Sequence, residues 1–175
     1  MILKLKRTPG LYLVGFMGCG KSTVGRVLAD ELGCSFFDLD DEIESSASAS
    51  ISEIFDQQGE PVFRALESSA LAQRVRAVQS GRPQVISLGG GALMNDENFE
   101  LVSNNGVTVW IDSPFELIQK RVAAESHRPL GRDPERLREL FEIRRPRYAQ
   151  ADFRVDAPEE DAMETAKRIM ALPLF

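Results

Sequence analysis

Eight residues near the start of the chain have the types and spacing of a phosphate-binding loop. Residues 15–22 read Gly-Phe-Met-Gly-Cys-Gly-Lys-Ser and fit the pattern G-x-x-x-x-G-K-[ST]. Glycines let successive backbone N–H groups curve around an anion, and the start of a helix adds partial positive charge. Lys21 can then reach the β- and γ-phosphates of a nucleotide, while the Ser22 hydroxyl can bind Mg²⁺. The predicted nucleotide-binding residues are Gly18, Cys19, Gly20, Lys21, Ser22 and Thr23.

The residues on either side of this loop support the prediction. An apolar run at 11–14 is typical of a buried strand, and Val24, Leu28 and Leu32 follow at helical spacing. Strand, glycine loop and helix is the context that a phosphate site requires. A loop that is glycine-rich by chance is the alternative, and both flanks count against it. Cys19 is expected to fill a position that tolerates any small side chain.

Two aspartates follow the second predicted strand. Asp38 and Asp40 are one residue apart, so on extended backbone both side chains would point to the same side. One could hold Mg²⁺ through water, and the other could orient an acceptor hydroxyl or accept its proton. Helix capping is the alternative, and it is the better explanation for Asp41 and Glu42. The position at a strand end favours a functional role for Asp38 and Asp40.

Three consecutive glycines follow the third predicted strand. Gly89, Gly90 and Gly91 would let a ligand press against bare backbone N–H groups. A simple turn is the alternative, but a turn seldom needs three glycines. Arg64 lies near the start of a helix, and its spacing leaves its role open because surface Arg–Glu pairs are common there.

Arginines are concentrated in one part of an otherwise acidic chain. Eight of them lie between residues 121 and 147, although the net charge is −6. Two prolines and a glycine at 127–134 predict a loop, and an arginine-bearing loop suits a lid that closes over a triphosphate. Arg128 and Arg144 are the better candidates for anion contacts.

The alternative for these arginines is a solvated helix face. Pairing with Glu135, Glu139 and Glu142 is the expected role of the remaining candidates, Arg136, Arg138 and Arg147. The single histidine, His127, is interpreted as an exposed neighbour of the predicted lid rather than as a general base.

Strands and helices alternate along the chain. Short apolar segments predict strands at 11–15, 35–38, 84–88, 107–111 and 152–156. Helical periodicity predicts helices at 21–32, about 51–58, 62–79, 95–103, 114–124, 134–146 and 159–171. This alternation predicts an α/β fold with a five-stranded parallel sheet flanked by helices. Ligands bind at the carboxyl ends of such strands, which also indicates Asp112 and the segment after residue 156.

The composition sets limits on the class of protein. A chain of 175 residues with 43 % hydrophobic and 27 % charged residues is expected to form one globular domain, 1–175. The net charge of −6 argues against nucleic-acid binding. No apolar run approaches the roughly 18–20 residues that span a bilayer, and no apolar segment follows the basic N-terminus, so a cytoplasmic location is expected. Two cysteines are too few for a disulfide framework.

Together these motifs resemble the shikimate kinases, small P-loop enzymes that phosphorylate the 3-hydroxyl of shikimate with ATP in aromatic amino-acid biosynthesis. The matching pieces occur in the family's order from the first strand to residue 156. They are Gly15 to Thr23, Asp38-Leu39-Asp40, Ile54-Phe55 with Gly59-Glu60, Phe63-Arg64 with Glu67, Leu88-Gly89-Gly90-Gly91, Arg128-Pro129-Leu130 and Arg144-x-Pro146-x-Tyr148. The loop alone is shared with many unrelated enzymes, whereas F-R-x-x-E, then G-G-G, then R-P-L is far more specific.

The resemblance implies a role for each substrate-side residue. Arg64 and Arg144 would grip the carboxylate of shikimate, because a guanidinium fork suits a planar carboxylate. Asp40 would bind the substrate hydroxyls and be the candidate base, and Asp38 would serve Mg²⁺ through water. The other substrate-side residues are Gly89, Gly90 and Gly91, the wall residues Phe55 and Phe63, and Glu67, which would orient Arg64.

On the nucleotide side, the resemblance implies that Arg128 touches the transferred phosphate. Arg121 would stack beside adenine, with the turn containing Pro158 on the other face of the base. The family usually continues the lid as R-P-L-L, but Gly131 follows Leu130 here.

The resemblance therefore implies a kinase of the nucleoside-monophosphate-kinase fold that uses ATP and Mg²⁺. A substrate-binding helical region is expected at 38–67 and a lid at 123–134, in a monomer. A related kinase acting on gluconate or a nucleoside monophosphate is one alternative. A non-catalytic nucleotide-binding switch is another, but the Asp38 and Asp40 pair and the two carboxylate-binding arginines argue against it.

Overall fold

The computed structural model describes residues 10–125, 133–158 and 160–174. Its strands are β1 Gly10–Val14, β2 Ser35–Asp38, β3 Gln84–Ser87, β4 Val107–Asp112 and β5 Phe153–Asp156. Its helices are α1 Lys21–Leu32, α2 Leu39–Ala47, α3 Ile51–Gln58, α4 Glu60–Gln79, α5 Asp96–Asn104, α6 Phe115–Ala124, α7 Pro134–Tyr148 and α8 Ala162–Met170, with a short 3₁₀ helix at Ala92–Met94.

The five strands form one parallel sheet in the order β2-β3-β1-β4-β5. Its central strand, β1, pairs with β3 on one side and with β4 on the other. Every residue of β1, β3 and β4 is buried, as expected for parallel strands that are covered on both faces. The predicted α/β fold with a five-stranded parallel sheet is confirmed.

Helix α1 packs closely onto the sheet. A Cβ atom at Gly25 would lie 2.3 Å from the ring of Phe36 on β2 and 3.2 Å from Leu13 on β1. Glycine at this position therefore lets the helix approach the strands. This packing fixes the position of the residues at the start of α1, which follow the glycine loop.

The element boundaries agree with the sequence prediction to within two residues for most elements, but α8, expected from residue 159, begins at Ala162. Helix α4 begins two residues earlier than expected, with Pro61 in its first turn, where proline is tolerated. The prediction missed α2, a short helix with many acidic residues in which Leu39 and Ile43 are buried. The extended backbone expected at Asp40 was therefore wrong, because Asp38 ends β2 and Asp40 already lies in the first turn of α2.

Across the described ranges, no helix combines the length and the apolar character needed to cross a bilayer.

Candidate active site

A cleft of about 800 Å³ lies at the carboxyl ends of the strands. The loop after β1 and the start of α1 line one part of it, and Asp38, Asp40 and Gly90 line another. Lys120, Arg121 and Ala157 contribute from the far end of the sheet. The topology therefore brings the predicted phosphate loop and two of the predicted acceptor residues, Asp40 and Gly90, to one opening.

Backbone geometry explains the glycines of the phosphate loop. Gly18 and Gly20 have φ values of 75° and 97°, a region that side chains disfavour. A Cβ atom at Gly15 would lie 2.7 Å from the carbonyl oxygen of Ile111. Among the described residues, no side chain caps the start of α1, which leaves its first N–H groups to an anion.

Lys21 lies across this loop. Its ammonium donates to the carbonyl oxygens of Gly15 at 2.9 Å and Phe16 at 3.0 Å, and the side chain is buried. Cys19 is buried beside it, with Sγ 3.8 Å from the Lys21 nitrogen. The charge of Lys21 is therefore held at the wall of the cleft.

Asp38 uses both of its carboxylate oxygens. Oδ2 accepts a hydrogen bond from the hydroxyl of Ser22, while Oδ1 accepts from the backbone N–H groups of Asp40 at 3.0 Å and Asp41 at 3.4 Å. Asp38, which also faces the phosphate loop, is thus the N-cap of α2, and Asp41 and Glu42 lie in its first turn, where acidic residues were expected. Asp41 and Glu42 also pair with arginines of neighbouring helices.

The Ser22 and Asp38 pair fits a magnesium site. A hydroxyl and a carboxylate are hard oxygen donors, and Mg²⁺ in such sites takes its other ligands from phosphates and water. Within the described residues, no cluster of three histidine, cysteine or acidic side chains could hold a metal ion unaided. The donor set therefore matches a metal ion that arrives with a nucleotide.

Asp40 and Glu67 both lie against Gly89. A Cβ atom at this glycine would be 2.9 Å from Oδ1 of Asp40 and 3.0 Å from Oε2 of Glu67. Gly89 is thus the point where two carboxyl groups from α2 and α4 approach the backbone after β3. A larger residue would push both of them away.

Arg64 is held by two glutamates on its own helix. Its Nη1 donates to Oε1 of Glu67 at 2.8 Å, while Nε and Nη2 contact Oε1 of Glu60 at 3.3 and 3.2 Å. Burial raises the pKa of the Glu67 carboxyl, and the positive charge of Arg64 opposes this shift. Arg64 therefore forms the Arg–Glu pairs that left its role open in the sequence. One side of its guanidinium faces Gly91.

The guanidiniums of Arg64 and Arg144 meet at neighbouring glycines. A Cβ atom at Gly91 would lie 2.6 Å from Nη2 of Arg64, and one at Gly90 would lie 3.3 Å from Nη1 of Arg144. Helices α4 and α7 thus place two guanidinium groups at one short segment of backbone. The arrangement suits an organic carboxylate.

Aromatic rings adjoin the arginine pair. The rings of Phe55 and Phe63 are 4.7 Å apart, and the guanidinium carbon of Arg64 is 5.1 Å from the ring centre of Phe63. On the other side, Arg144 lies 5.8 Å from the ring centre of Phe16. The site therefore combines positive charge with apolar surface.

Asp112 does not line the cleft, contrary to the expectation for a residue at a strand end. Arg145 binds it through Nη1 at 2.6 Å and Nη2 at 3.0 Å, and Arg154 approaches to 2.9 Å. Asp112 is buried, so these partners neutralise it. Since Arg145 follows Arg144 on α7, this ion pair also fixes the helix that carries Arg144.

The expected pairing of the outer arginines was correct for one of three. Arg136 pairs with Glu139 at 2.5 Å. Arg138 instead approaches Glu116 at 3.8 Å and lies over the ring of Phe115. The third, Arg147, pairs with Asp96 and stacks on Phe99. These partners come from other helices, which spacing along α7 could not indicate.

Of the two expected adenine-side residues in the described part of the chain, Arg121 lines the far end of the cleft and Pro158 does not. Arg121 donates from Nη1 to the carbonyl oxygen of Gly18 at 2.9 Å, so it also supports the phosphate loop. Pro158 is exposed and does not line the cleft, whereas Ala157, Asp161 and Thr165 do. Arg128, His127 and most of the expected lid lie outside the described residues.

Two contacts at the site had no clear signal in the sequence. The hydroxyl of Tyr148 donates to the carbonyl oxygen of Gly90 at 2.5 Å, and that of Ser113 donates to the carbonyl oxygen of Cys19 at 3.3 Å. Tyr148 belongs to the motif Arg144-x-Pro146-x-Tyr148, whose spacing places Arg144 and Tyr148 on one helix face, but the motif does not indicate the bond to Gly90.

Fold and site together define a P-loop kinase: a parallel sheet, a phosphate loop after its central strand, and a second binding region at the same strand ends. A sequence profile of the shikimate kinase family matches residues 17–172. The chain therefore belongs to the shikimate kinase family.

Similar proteins agree with this assignment. The chain is 42 % identical over 172 residues to the shikimate kinase of Cereibacter sphaeroides, covering 97 % of this chain and 83 % of that protein. It is 38 % identical to the shikimate kinase of Persephonella marina, with coverage of 91 % and 96 %. The solved shikimate kinase from Acinetobacter baumannii in complex with shikimate superposes with a TM-score of 0.86 at 36 % identity, over 97 % of this chain and 95 % of that one.

These matches establish the activity: the chain is a kinase that transfers phosphate from ATP to shikimate. A gluconokinase from Sinorhizobium meliloti also superposes, with a TM-score of 0.57 at 19 % identity over 94 % of this chain and 91 % of that one. That likeness shows a shared fold only.

Proposed function

We propose that the chain phosphorylates the 3-hydroxyl of shikimate, with the acceptor held between α2, α4, α7 and the Gly89–Gly91 segment. The observation that carries this proposal is the convergence of Arg64 and Arg144 on Gly90 and Gly91, beside Asp40. The phosphate loop opens into the same cleft as Asp40 and Gly90, so donor and acceptor would meet there.

The carboxylate of shikimate would lie between the two guanidiniums. Each offers donors in a planar fork, and two positive groups offset the desolvation of one negative group. Glu67 and Glu60 hold the far side of Arg64, so its orientation is set before the substrate binds. Phe55 and Phe63 would form the apolar wall against the ring of the substrate.

Asp40 would act on the hydroxyl that attacks the phosphorus. It lies in the first turn of α2, lines the cleft, and has Oδ1 directed toward Gly89. From there its carboxylate would orient the 3-hydroxyl and accept its proton as the bond to phosphorus forms.

The nucleotide would lie on the loop from Gly18 to Thr23. Backbone N–H groups at the start of α1 would bind the phosphates, and Lys21 would offset charge on the γ-phosphoryl oxygens. Arg121 would lie beside one face of adenine, and the turn that contains Pro158 would lie on the other face of the base. Arg128, which is outside the described residues, would contact the transferred phosphate.

Ser22 and Asp38 would hold Mg²⁺, Ser22 directly and Asp38 through water. When bound, the ion screens negative charge on the β- and γ-phosphates. Most of the acceleration would come from positioning and from fixed positive charge around the phosphoryl group.

The arrangement of the whole chain follows from these roles. One kinase domain, 1–175, would contain the substrate-binding region at 38–67 and a lid at 123–134. The largest exposed apolar side chains among the described residues, Leu32, Val62, Ile143 and Met163, lie on four different helices, which supports a monomer. Use of ATP and two free cysteines support a cytoplasmic location.

An acceptor comparison tests the proposal. ADP release is measured with ATP and, in turn, shikimate, gluconate and CMP, and the shikimate product is characterised by ³¹P-coupled NMR to locate the phosphate. Of the three acceptors, we expect only shikimate to give turnover. In its product, the phosphorus should couple to the proton on carbon 3. Gluconate is included because two arginines would also suit a sugar acid. Phosphorylation at another hydroxyl, or faster turnover of gluconate, would refute the proposed acceptor geometry.

A further inference from the structure

Tyr148 joins two parts of the site. It is 2 % exposed, and its hydroxyl donates to the carbonyl oxygen of Gly90 at 2.5 Å. The guanidinium of Arg144 faces the same hydroxyl from one turn earlier on α7. This buried phenol therefore contacts a proposed substrate arginine and a proposed substrate glycine at once.

Three elements meet at Gly90. A Cβ atom there would lie 3.3 Å from Nη1 of Arg144, 3.4 Å from the backbone nitrogen of Met17, and 3.5 Å from the hydroxyl oxygen of Tyr148. The glycine segment, helix α7 and the phosphate loop are therefore in contact at one residue. A small shift of Gly90 would alter the distance between the acceptor site and the donor site.

The hydroxyl of Tyr148 is a permanent donor. Burial raises the pKa of this phenol well above its ordinary value, although the charge of Arg144 opposes the shift. The proton therefore stays on the oxygen throughout the neutral pH range, and the hydrogen bond to Gly90 persists.

We propose that Tyr148 is a positioning residue for shikimate. Its hydroxyl ties the carbonyl of Gly90 to the face of α7 that carries Arg144, so that the Gly90 backbone and the Arg144 guanidinium reach the substrate in a fixed relation. This inference rests on the proposed role of Arg144 as a carboxylate ligand. The ring of Tyr148 also packs near Trp110, with centroids 6.2 Å apart, and that contact is independent of the hydroxyl.

Tyr148→Phe removes the oxygen and keeps the ring. We expect the KM for shikimate to rise about tenfold and the KM for ATP to stay nearly unchanged, while the loss of one buried hydrogen bond lowers the melting temperature by about 2–4 °C. Tyr12→Phe is the matched control. Tyr12 is the only other tyrosine in the chain, and its hydroxyl is buried without a hydrogen-bond partner among the described residues. The Tyr12→Phe variant should leave the KM for shikimate and the KM for ATP unchanged.

Arg144→Ala separates this inference from the proposed function. If Arg144→Ala raises the KM for shikimate and Tyr148→Phe does not, the inference is wrong and the proposed function stands. If Arg144→Ala has no effect on that KM, the proposed carboxylate site itself fails. In the double variant, Tyr148→Phe should add less than about twofold, because its effect passes through Arg144. Full additivity, or an equal rise in both KM values, would overturn the positioning role.

A second measurement does not need the Tyr148→Phe variant to fold. In Tyr12→Phe protein labelled with 3-fluorotyrosine, Tyr148 is the only tyrosine and gives a single ¹⁹F resonance. We expect shikimate to shift this resonance in the absence of nucleotide, and ADP alone to leave it in place. An unchanged resonance with saturating shikimate would contradict the proposal.

Discussion

Glu67 is buried, and its Oε1 accepts a hydrogen bond from Nη1 of Arg64 across 2.8 Å. Arg64 also contacts Glu60, but that glutamate is exposed. The two partners therefore differ in burial while sharing one guanidinium. An ion pair with a buried carboxylate restricts a side chain more than one exposed to solvent does.

Glu67→Gln should raise the KM for shikimate about tenfold, because the charge-assisted contact that orients Arg64 becomes a weaker neutral one. The KM for ATP should stay the same, since the phosphate loop does not depend on Arg64. Glu60→Gln is the matched control, and we expect less than about a twofold change because exposed pairs contribute little. Steady-state kinetics with each substrate varied in turn checks this. Equal effects of the two variants would show that burial of Glu67 does not matter.

The pH dependence should report the same carboxyl group. Burial raises the pKa of Glu67, with Arg64 opposing, so Glu67 takes up its proton at a higher pH than an exposed glutamate. As pH falls through this raised pKa, the carboxylate is neutralised and Arg64 loses its charged partner. The kcat/KM for shikimate should therefore fall on the acid side, and this acid limb should move to lower pH in Glu67→Gln. Superimposable profiles for the two proteins would contradict the assignment.

The two roles of Asp38 can be separated by substitution. The Asp38→Asn variant would still cap α2, because asparagine is as good an N-cap as aspartate, but it would lack the charge beside Ser22. This variant should therefore need more Mg²⁺ for half-maximal activity while retaining stability. Asp38→Ala should lose the cap as well as the charge. Its free energy of unfolding should be about 1 kcal/mol lower than that of Asp38→Asn. Magnesium titrations and urea denaturation measure the two effects, and identical stability of both variants would argue against the cap.

The ion pair between Arg145 and Asp112 should stabilise the fold more than an exposed pair does. Arg145→Met leaves a buried carboxylate with Arg154 as its remaining partner, and we expect a loss of about 2 kcal/mol in the free energy of unfolding. Arg136→Met breaks an exposed pair on the same helix and should cost less than about 1 kcal/mol. Urea denaturation of the two variants tests the order, and a larger loss for Arg136→Met would reverse it.

Local patterns predicted those parts of the site that local geometry controls. The loop from Gly15 to Ser22 was predictable because its glycines, its flanking strand and its helix are contiguous in sequence. Asp38 was assigned to function against a capping alternative, yet it both caps α2 and bonds to Ser22. The alternatives were not exclusive, because a carboxylate has two oxygens.

Contacts between distant elements could not be predicted in the same way. Asp112 has the strand-end position of a ligand-binding residue, but Arg145, 33 positions later, occupies it. Arg147 similarly pairs with Asp96 on α5, a contact that helical spacing does not encode. For Arg64 the spacing indicated surface pairing, and only the structure shows that its guanidinium also lies against Gly91.

Lys21 already rests on the carbonyl oxygens of Gly15 and Phe16 in this fold. Its ammonium has given up bulk hydration during folding, so nucleotide capture exchanges one set of oxygen neighbours for another. The free-energy cost of dehydrating the ammonium is then part of folding rather than part of ATP binding. In the proposed nucleotide complex, the lysine would therefore act as a counter-ion that is already in place before the phosphates bind.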